Sequence, residues 1–148
     1  MCFDGLVSFD RSQYYPSDIG LSISSRSRFI LGLSHATTRR SGALSEAQRD
    51  RIESVYEGDE FEKKAGERSF SEHLDLLANE GRDARGRPLI IVTDENLEYV
   101  RALHAHQLYL GQDERHRCAQ SQVPSTLPRS YANPLFASNY LDREIRKD

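Results

Sequence analysis

Two aspartates stand in or against short apolar segments. Asp4 interrupts Cys2-Phe3-Asp4-Gly5-Leu6-Val7-Ser8-Phe9, and Asp94 closes Leu89-Ile90-Ile91-Val92-Thr93-Asp94. An acid inside an apolar strand is costly unless it is paired, ligated or turned to solvent. Carboxylate oxygens are also the hard donors that Mg²⁺ and Mn²⁺ prefer. Two such acids on adjacent strands, with a third acidic or amide ligand from the last helix, can hold two metals about 3.5–4 Å apart. Such a pair activates water or a 3′-hydroxyl and stabilises the oxygen leaving a phosphodiester. The competing reading is structural: Asp94 caps the following helix, and Asp4 is a solvent-facing edge residue.

Other chemistry-bearing residues are more scattered. Arg26, Arg28, Arg39 and Arg40 fall in a stretch without an acid, and Arg82, Arg85 and Arg87 crowd one loop beside Asp83. Such groups either contact nucleic-acid phosphates or keep loops solvated. Tyr14, Tyr15 and Tyr131 can stack on bases or pack locally. His104, His106, His116 and Cys118 are zinc-type donors, but His104 and His106 are two residues apart and face different sides of a helix. The phosphate-binding Gly-x-x-x-x-Gly-Lys loop, the dinucleotide Gly-x-Gly-x-x-Gly and the hydrolase Gly-x-Ser-x-Gly are all absent from the sequence, so those classes have no anchor.

The elements that would position the acids follow from period and punctuation. Residues 2–9 form a strand-like run, and Asp10 to Asp18, with Pro16 inside it, reads as a connecting loop. Ile19, Leu21 and Ile23 alternate with Gly20, Ser22 and Ser24; after Ser25 to Ser27, Arg28 to Ser34 completes a hairpin. Ser45 and Gln48 make a capping box for a helix carrying Ile52, Val55 and Tyr56 up to Gly58. Asp59 to Arg68 is charge-dense, an exposed connection or a poorly buried helical turn. Ser69 and Glu72 make a second capping box for a helix with Phe70, Leu74 and Leu77 that stops at Gly81.

A loop from Gly81 to Pro88 then feeds Leu89 to Val92, too short for a helix and read as a strand buried on both faces. Asp94 thus sits at the carboxyl end of a buried strand, the edge where ligands collect in open α/β sheets. Asn96 caps the next helix, with Leu97, Val100, Leu103 and His104. Leu108 to Leu110 is a candidate short strand, residues 112–134 a long aperiodic loop, and residues 135–148 a final helix that looks truncated. The expected fold is α/β: a ribonuclease-H-like mixed sheet opening with three antiparallel strands and flanked by helices, one domain over residues 1–148. That layout sets the first strand beside the later one and brings Asp4 to Asp94.

The bulk composition agrees with a soluble globular chain. Of 148 residues, 37% are hydrophobic and 29% charged, with a net charge of −3. No membrane span and no signal-peptide pattern is expected, which leaves the cytoplasm as the default location. Cys2 and Cys118 have no partner spacing that suggests a disulfide framework or a zinc site.

Phe3-Asp4-Gly5-Leu6-Val7-Ser8-Phe9, Arg28-Phe29-Ile30-Leu31-Gly32, Val92-Thr93-Asp94-Glu95 and Asn133-Pro134-Leu135-Phe136-Ala137-Ser138-Asn139 together resemble the catalytic core of small bacterial insertion-element transposases, of the DDE, ribonuclease-H-like superfamily. The resemblance implies that Asp4 and Asp94 are the first two catalytic acids and Mg²⁺ or Mn²⁺ the cofactor. The implied substrate is the double-stranded DNA ends of an insertion element, and the full-length protein would form a homo-oligomer. Relatives carry Asp-Glu where this chain has Asp4-Gly5. The motif register puts the third metal ligand at Asn139, with Asp142 and Glu144 nearby; Glu144 is the choice because a glutamate has the reach to arrive from a helix. DNA-recognition modules that relatives carry before the core are missing, so the chain looks like part of an open reading frame. The alternatives are a non-catalytic remnant that binds DNA or an intact transposase through Arg26, Arg28, Arg39 and Arg40, and a ribonuclease-H-like nuclease unrelated to transposition.

Overall fold

A computed structural model describes residues 1–9, 13–40, 42–58, 60–80, 89–111 and 118–146, without the side chain of Glu80. Arg82, Asp83, Arg85, Arg87 and His116, the Gly81 helix stop and the first part of the 112–134 loop lie outside the described residues.

The elements are β1 (Cys2–Phe9), β2 (Pro16–Ile23), β3 (Ile30–Thr37), α1 (Glu46–Val55), α2 (Ala65–Glu80), β4 (Ile90–Thr93), α3 (Leu97–Ala105), α4 (Gln107–Leu110), β5 (Ala119–Gln122) and α5 (Phe136–Ile145). The five strands form one mixed sheet in the order β3-β2-β1-β4-β5. β1 runs antiparallel to β2 and β2 antiparallel to β3, whereas β4 is parallel to both β1 and β5. The meander of three strands and a strand over residues 90–93 are as the periodicity predicts, but β4 is not buried on both faces: Ile91 and Thr93 are buried while Ile90 is 54% exposed. Among the described residues no helix is long and apolar enough to cross a membrane.

Strand alternation divides β1 between two layers. Phe3 points into a core with Phe70 and Leu74 of α2, Ile91 of β4, and Tyr99, Ala102 and Leu103 of α3. Its ring lies 4.6 Å from Phe70 and 5.0 Å from Tyr99, centroid to centroid. Burying an aromatic ring of this size stabilises the fold by roughly 2–3 kcal/mol. On the other face Cys2 packs with Val123 and Leu135, while Leu21 and Ile23 pack with Ala137 of α5. Asp4 shares the parity of Cys2 and therefore faces the α5 layer.

Several boundaries differ from expectation. β2 starts at Pro16, where the missing N–H is tolerated because a strand's first residue need not donate; its carbonyl accepts from Thr38 N–H at 2.8 Å. Ser69 does not cap a helix. α2 begins at Ala65, so Ser69 lies inside it, buried, with its hydroxyl 2.6 Å from that of Ser34. Leu108 to Leu110 belongs to a helical turn rather than a strand, capped by His106 Nδ1 accepting from Leu108 N–H. Within the expected loop, Ala119–Gln122 forms the edge strand β5, whose polar Ala-Gln-Ser-Gln carries no apolar alternation. The capping box at Ser45 and Gln48 and the Asn96 cap form as the sequence predicts.

α2 is seated by a buried polar network. His73 Nδ1 lies 2.8 Å from Ser22 Oγ and Nε2 lies 3.0 Å from Ser34 Oγ. The ring fits against the sheet because residues 20 and 32 are glycines: a Cβ on Gly20 would collide with the Ser34 and Ser69 hydroxyls, and one on Gly32 would sit 3.0 Å from His73 Nδ1. Burial holds the imidazole pKa down at about 4, so the ring is neutral at pH 7.

Candidate active site

The register of the central strands sets the site. Cys2 of β1 is paired in parallel with Val92 of β4, and two residues further along each strand come Asp4 and Asp94. Parallel neighbours are about 4.8 Å apart, so the two acids emerge at one level on adjacent strands. Both line one cleft of about 90 Å³, enclosed also by Val123, Ser125, Arg129, Asn133, Leu135 and Asn139. That volume holds about three waters, or a cation with part of its hydration shell.

Each acid keeps one oxygen on the local backbone. Asp4 Oδ1 accepts from Gly5 N–H at 3.0 Å, and Asp94 Oδ1 accepts from Asn96 N–H at 3.0 Å. The helix cap itself is Asn96, whose Oδ1 accepts from Glu98 N–H. α3 is therefore capped without Asp94. Burial first, and then the charge of Asp94, raise the Asp4 carboxyl to about 6; Asp142 adds to the rise, while the Gly5 hydrogen bond and Arg129 oppose it. Among the described residues no cation lies at contact distance from Asp4, and it is not an edge residue, since β1 is the middle strand.

The wall opposite the sheet is held by side chains that the sequence does not single out. Asn133 Oδ1 accepts from Leu135 N–H at 2.8 Å and its Nδ2 donates to Pro128 O at 3.1 Å, which folds the 128–135 loop and starts α5. Glu95 Oε2 accepts from Ser125 N–H at 3.1 Å. The end of β4 is fixed by Thr93, whose hydroxyl accepts from Gln120 Nε2 at 2.8 Å. Arg129 enters from an aperiodic loop, where no spacing signal marks it.

Of the residues expected near a third ligand position, Asn139 lines the cleft, whereas Glu144 does not; five residues along a helix turn Glu144 about 140° away from Asn139. The Glu144 carboxylate lies 3.6 Å from Arg143. Asp142 accepts from Arg146 Nε at 2.7 Å and lines a neighbouring recess of about 420 Å³ with Arg129, Asn139, Arg143 and Arg146. Among the described residues no three His, Cys, Asp or Glu side chains come together. Two carboxylates and an amide oxygen are nonetheless hard donors of the kind Mg²⁺ and Mn²⁺ accept while keeping several waters.

Gly5 faces the other layer. There the Asp18 carboxylate and the Tyr99 hydroxyl fill the space a side chain would need, at 2.7 and 2.9 Å from the position of a Cβ. Burial first, then Glu98 and Asp94, push the Asp18 carboxyl upward.

The predicted arginines separate into two pairs. Arg26 and Arg28 sit at the turn between β2 and β3, beside Tyr131. Arg39 and Arg40 lie beyond the far end of β3, about 25 Å along the strand. Arg39 stacks 5.7 Å from the Tyr56 ring, and Arg40 donates to Gln13 O at 2.9 Å while its buried Nε has no partner among the described residues. The zinc-type donors are dispersed too: His106 Nε2 is 3.0 Å from Asp75 Oδ1, His104 packs against Tyr109, and Cys118 is buried in the core.

Comparison with known proteins gives no match among family models, curated proteins or solved structures.

Proposed function

We propose that the chain is a ribonuclease-H-like catalytic core of the DDE transposase type, cutting and joining insertion-element DNA, with Asp4 and Asp94 holding Mg²⁺ or Mn²⁺. One observation carries this reading: two acids ninety positions apart in sequence line a single cleft at the centre of the sheet, faced by Asn139. The placement of β1 directly beside β4, after an antiparallel meander, supports the same layout. Bound metal would polarise the scissile phosphate and activate the attacking oxygen. In this chain Asp4 and Asp94 would ligate it, Asn139 would add an amide oxygen, and Arg129 would face the non-bridging phosphate oxygens from the cleft wall. Purified protein should nick duplexes carrying the element's terminal repeats when Mg²⁺ or Mn²⁺ is present and stop when it is chelated. Asp94→Asn should abolish the nicking; undiminished activity in that variant overturns the reading.

Asn139 at the expected acid position favours a second reading, a DNA-binding chain without catalysis. It predicts binding that weakens steeply with salt, survives Asp4→Asn combined with Asp94→Asn, and shows no metal-dependent cleavage.

A further inference from the structure

Against the cleft lies a second recess, of about 330 Å³, built from Ser25, Arg26, Arg28, Tyr131, Asn133 and Phe136 among others. It shares Asn133 with the Asp4–Asp94 cleft, so the two are adjoining parts of one surface. Its volume falls within the roughly 300–1,000 Å³ of small-molecule sites. Tyr131 is 77% exposed, an aromatic ring kept at the surface. The Arg28 guanidinium is 5.8 Å from the Tyr131 ring centre and 5.6 Å from that of Phe136.

The backbone that places Arg28 is unusual. Its φ is +58°, the left-handed conformation that hairpin turns normally give to Gly or Asn. Hydrogen bonds from Arg28 N–H to Ser24 O (2.8 Å) and from Ser24 N–H to Phe29 O (2.9 Å) fix that turn. A glycine would form the same turn without strain but would leave the recess with Arg26 and without the Arg28 guanidinium over its rings.

Stacked duplex DNA offers phosphates to arginines but no base face to a tyrosine, whereas every unpaired base presents one. We propose that this recess is a nucleobase site: an unpaired nucleotide flanking the cleft stacks its base on Tyr131 and sets its phosphate against Arg26 and Arg28. The proposal rests on the nucleic-acid reading of the cleft and names the part of the substrate that this face takes. It does not depend on catalysis.

The test is fluorescence anisotropy with a labelled oligothymidine and with a duplex of the same length, in chelator. The wild-type protein should bind the single strand more tightly than the duplex. Tyr131→Ala should weaken single-strand binding about tenfold or more, and Tyr131→Phe should retain it. Arg28→Gly should also weaken binding while its melting temperature stays level or rises, since glycine relieves the turn. Tighter wild-type binding to duplex, or Tyr131→Ala binding oligothymidine like wild type, overturns the proposal. Because binding is measured without metal, failure to nick in the separate Mg²⁺ assay counts against the catalytic reading alone. Cleavage with oligothymidine binding unchanged in Tyr131→Ala counts against the recess alone.

Discussion

At Asp4, burial and a like charge both oppose ionisation, and the carboxyl titrates at about 6 instead of the ordinary 3.8. An acid with a raised folded pKa contributes stability while protonated. That contribution is full below about pH 4 and is lost as pH rises through 6. Two pH units correspond to about 3 kcal/mol at most. Asp4→Asn should therefore be more stable than wild type in metal-free urea unfolding at pH 7.5, by up to that amount, with the difference fading near pH 4. Identical midpoints at pH 7.5 would sink the argument. Both strand acids were legible in the sequence because apolar residues lead up to each. Asn139 against Glu144 was not: the choice depends on the rotational phase of α5, which a helix of unknown seating leaves undetermined. Arg129 had no signal at all, being placed by the Asn133 hydrogen bonds of an aperiodic loop.

Among the elements, α2 shows where local patterns mislead. Ser69 and Glu72 have capping-box spacing, yet the helix starts a turn earlier because Ser69 serves β3 through Ser34, and Glu72 pairs with Arg68. Tertiary contact overrides the local signal. The same contact makes α2 acid-sensitive. His73 is depressed from 6.5 to about 4 by burial, so its stabilising neutral form is fully present above about pH 6.5 and is lost as pH falls toward 4. The loss amounts to about 3 kcal/mol. Asp4 has the opposite slope over nearly the same range, so the wild-type profile alone hides both. Compared with His73→Gln, the wild type should lose about 3 kcal/mol of its relative stability between pH 7.5 and pH 4. A difference that does not change with pH would place the imidazole in water instead of in its serine network. β5 escaped detection for a related reason: a polar edge strand is recruited by hydrogen bonds to β4, not by an apolar face.

For the molecule as a whole, the site exists only once β1 and β4 have met, and little local structure holds them together beforehand. The Met1 ammonium donates to Ile90 O at 2.9 Å and Val92 N–H donates to Met1 O at 2.8 Å, so the chain start is stitched to a strand some ninety residues later. The meander and β4 were readable from periodicity, but their adjacency was expected only through the fold class, since no residue pattern encodes a parallel pairing across two intervening helices. A cation bridging Asp4 and Asp94 would bind the assembled sheet and not the unfolded chain, and must then stabilise the whole fold by mass action. At a hundredfold excess over its dissociation constant, Mg²⁺ should add about 2.7 kcal/mol, raising the melting temperature by several degrees. Asp94→Asn should melt at the same temperature with and without Mg²⁺, because one carboxylate and an amide do not replace the pair. A wild-type melting temperature indifferent to Mg²⁺ and Mn²⁺ throughout the millimolar range would remove the metal from the cleft.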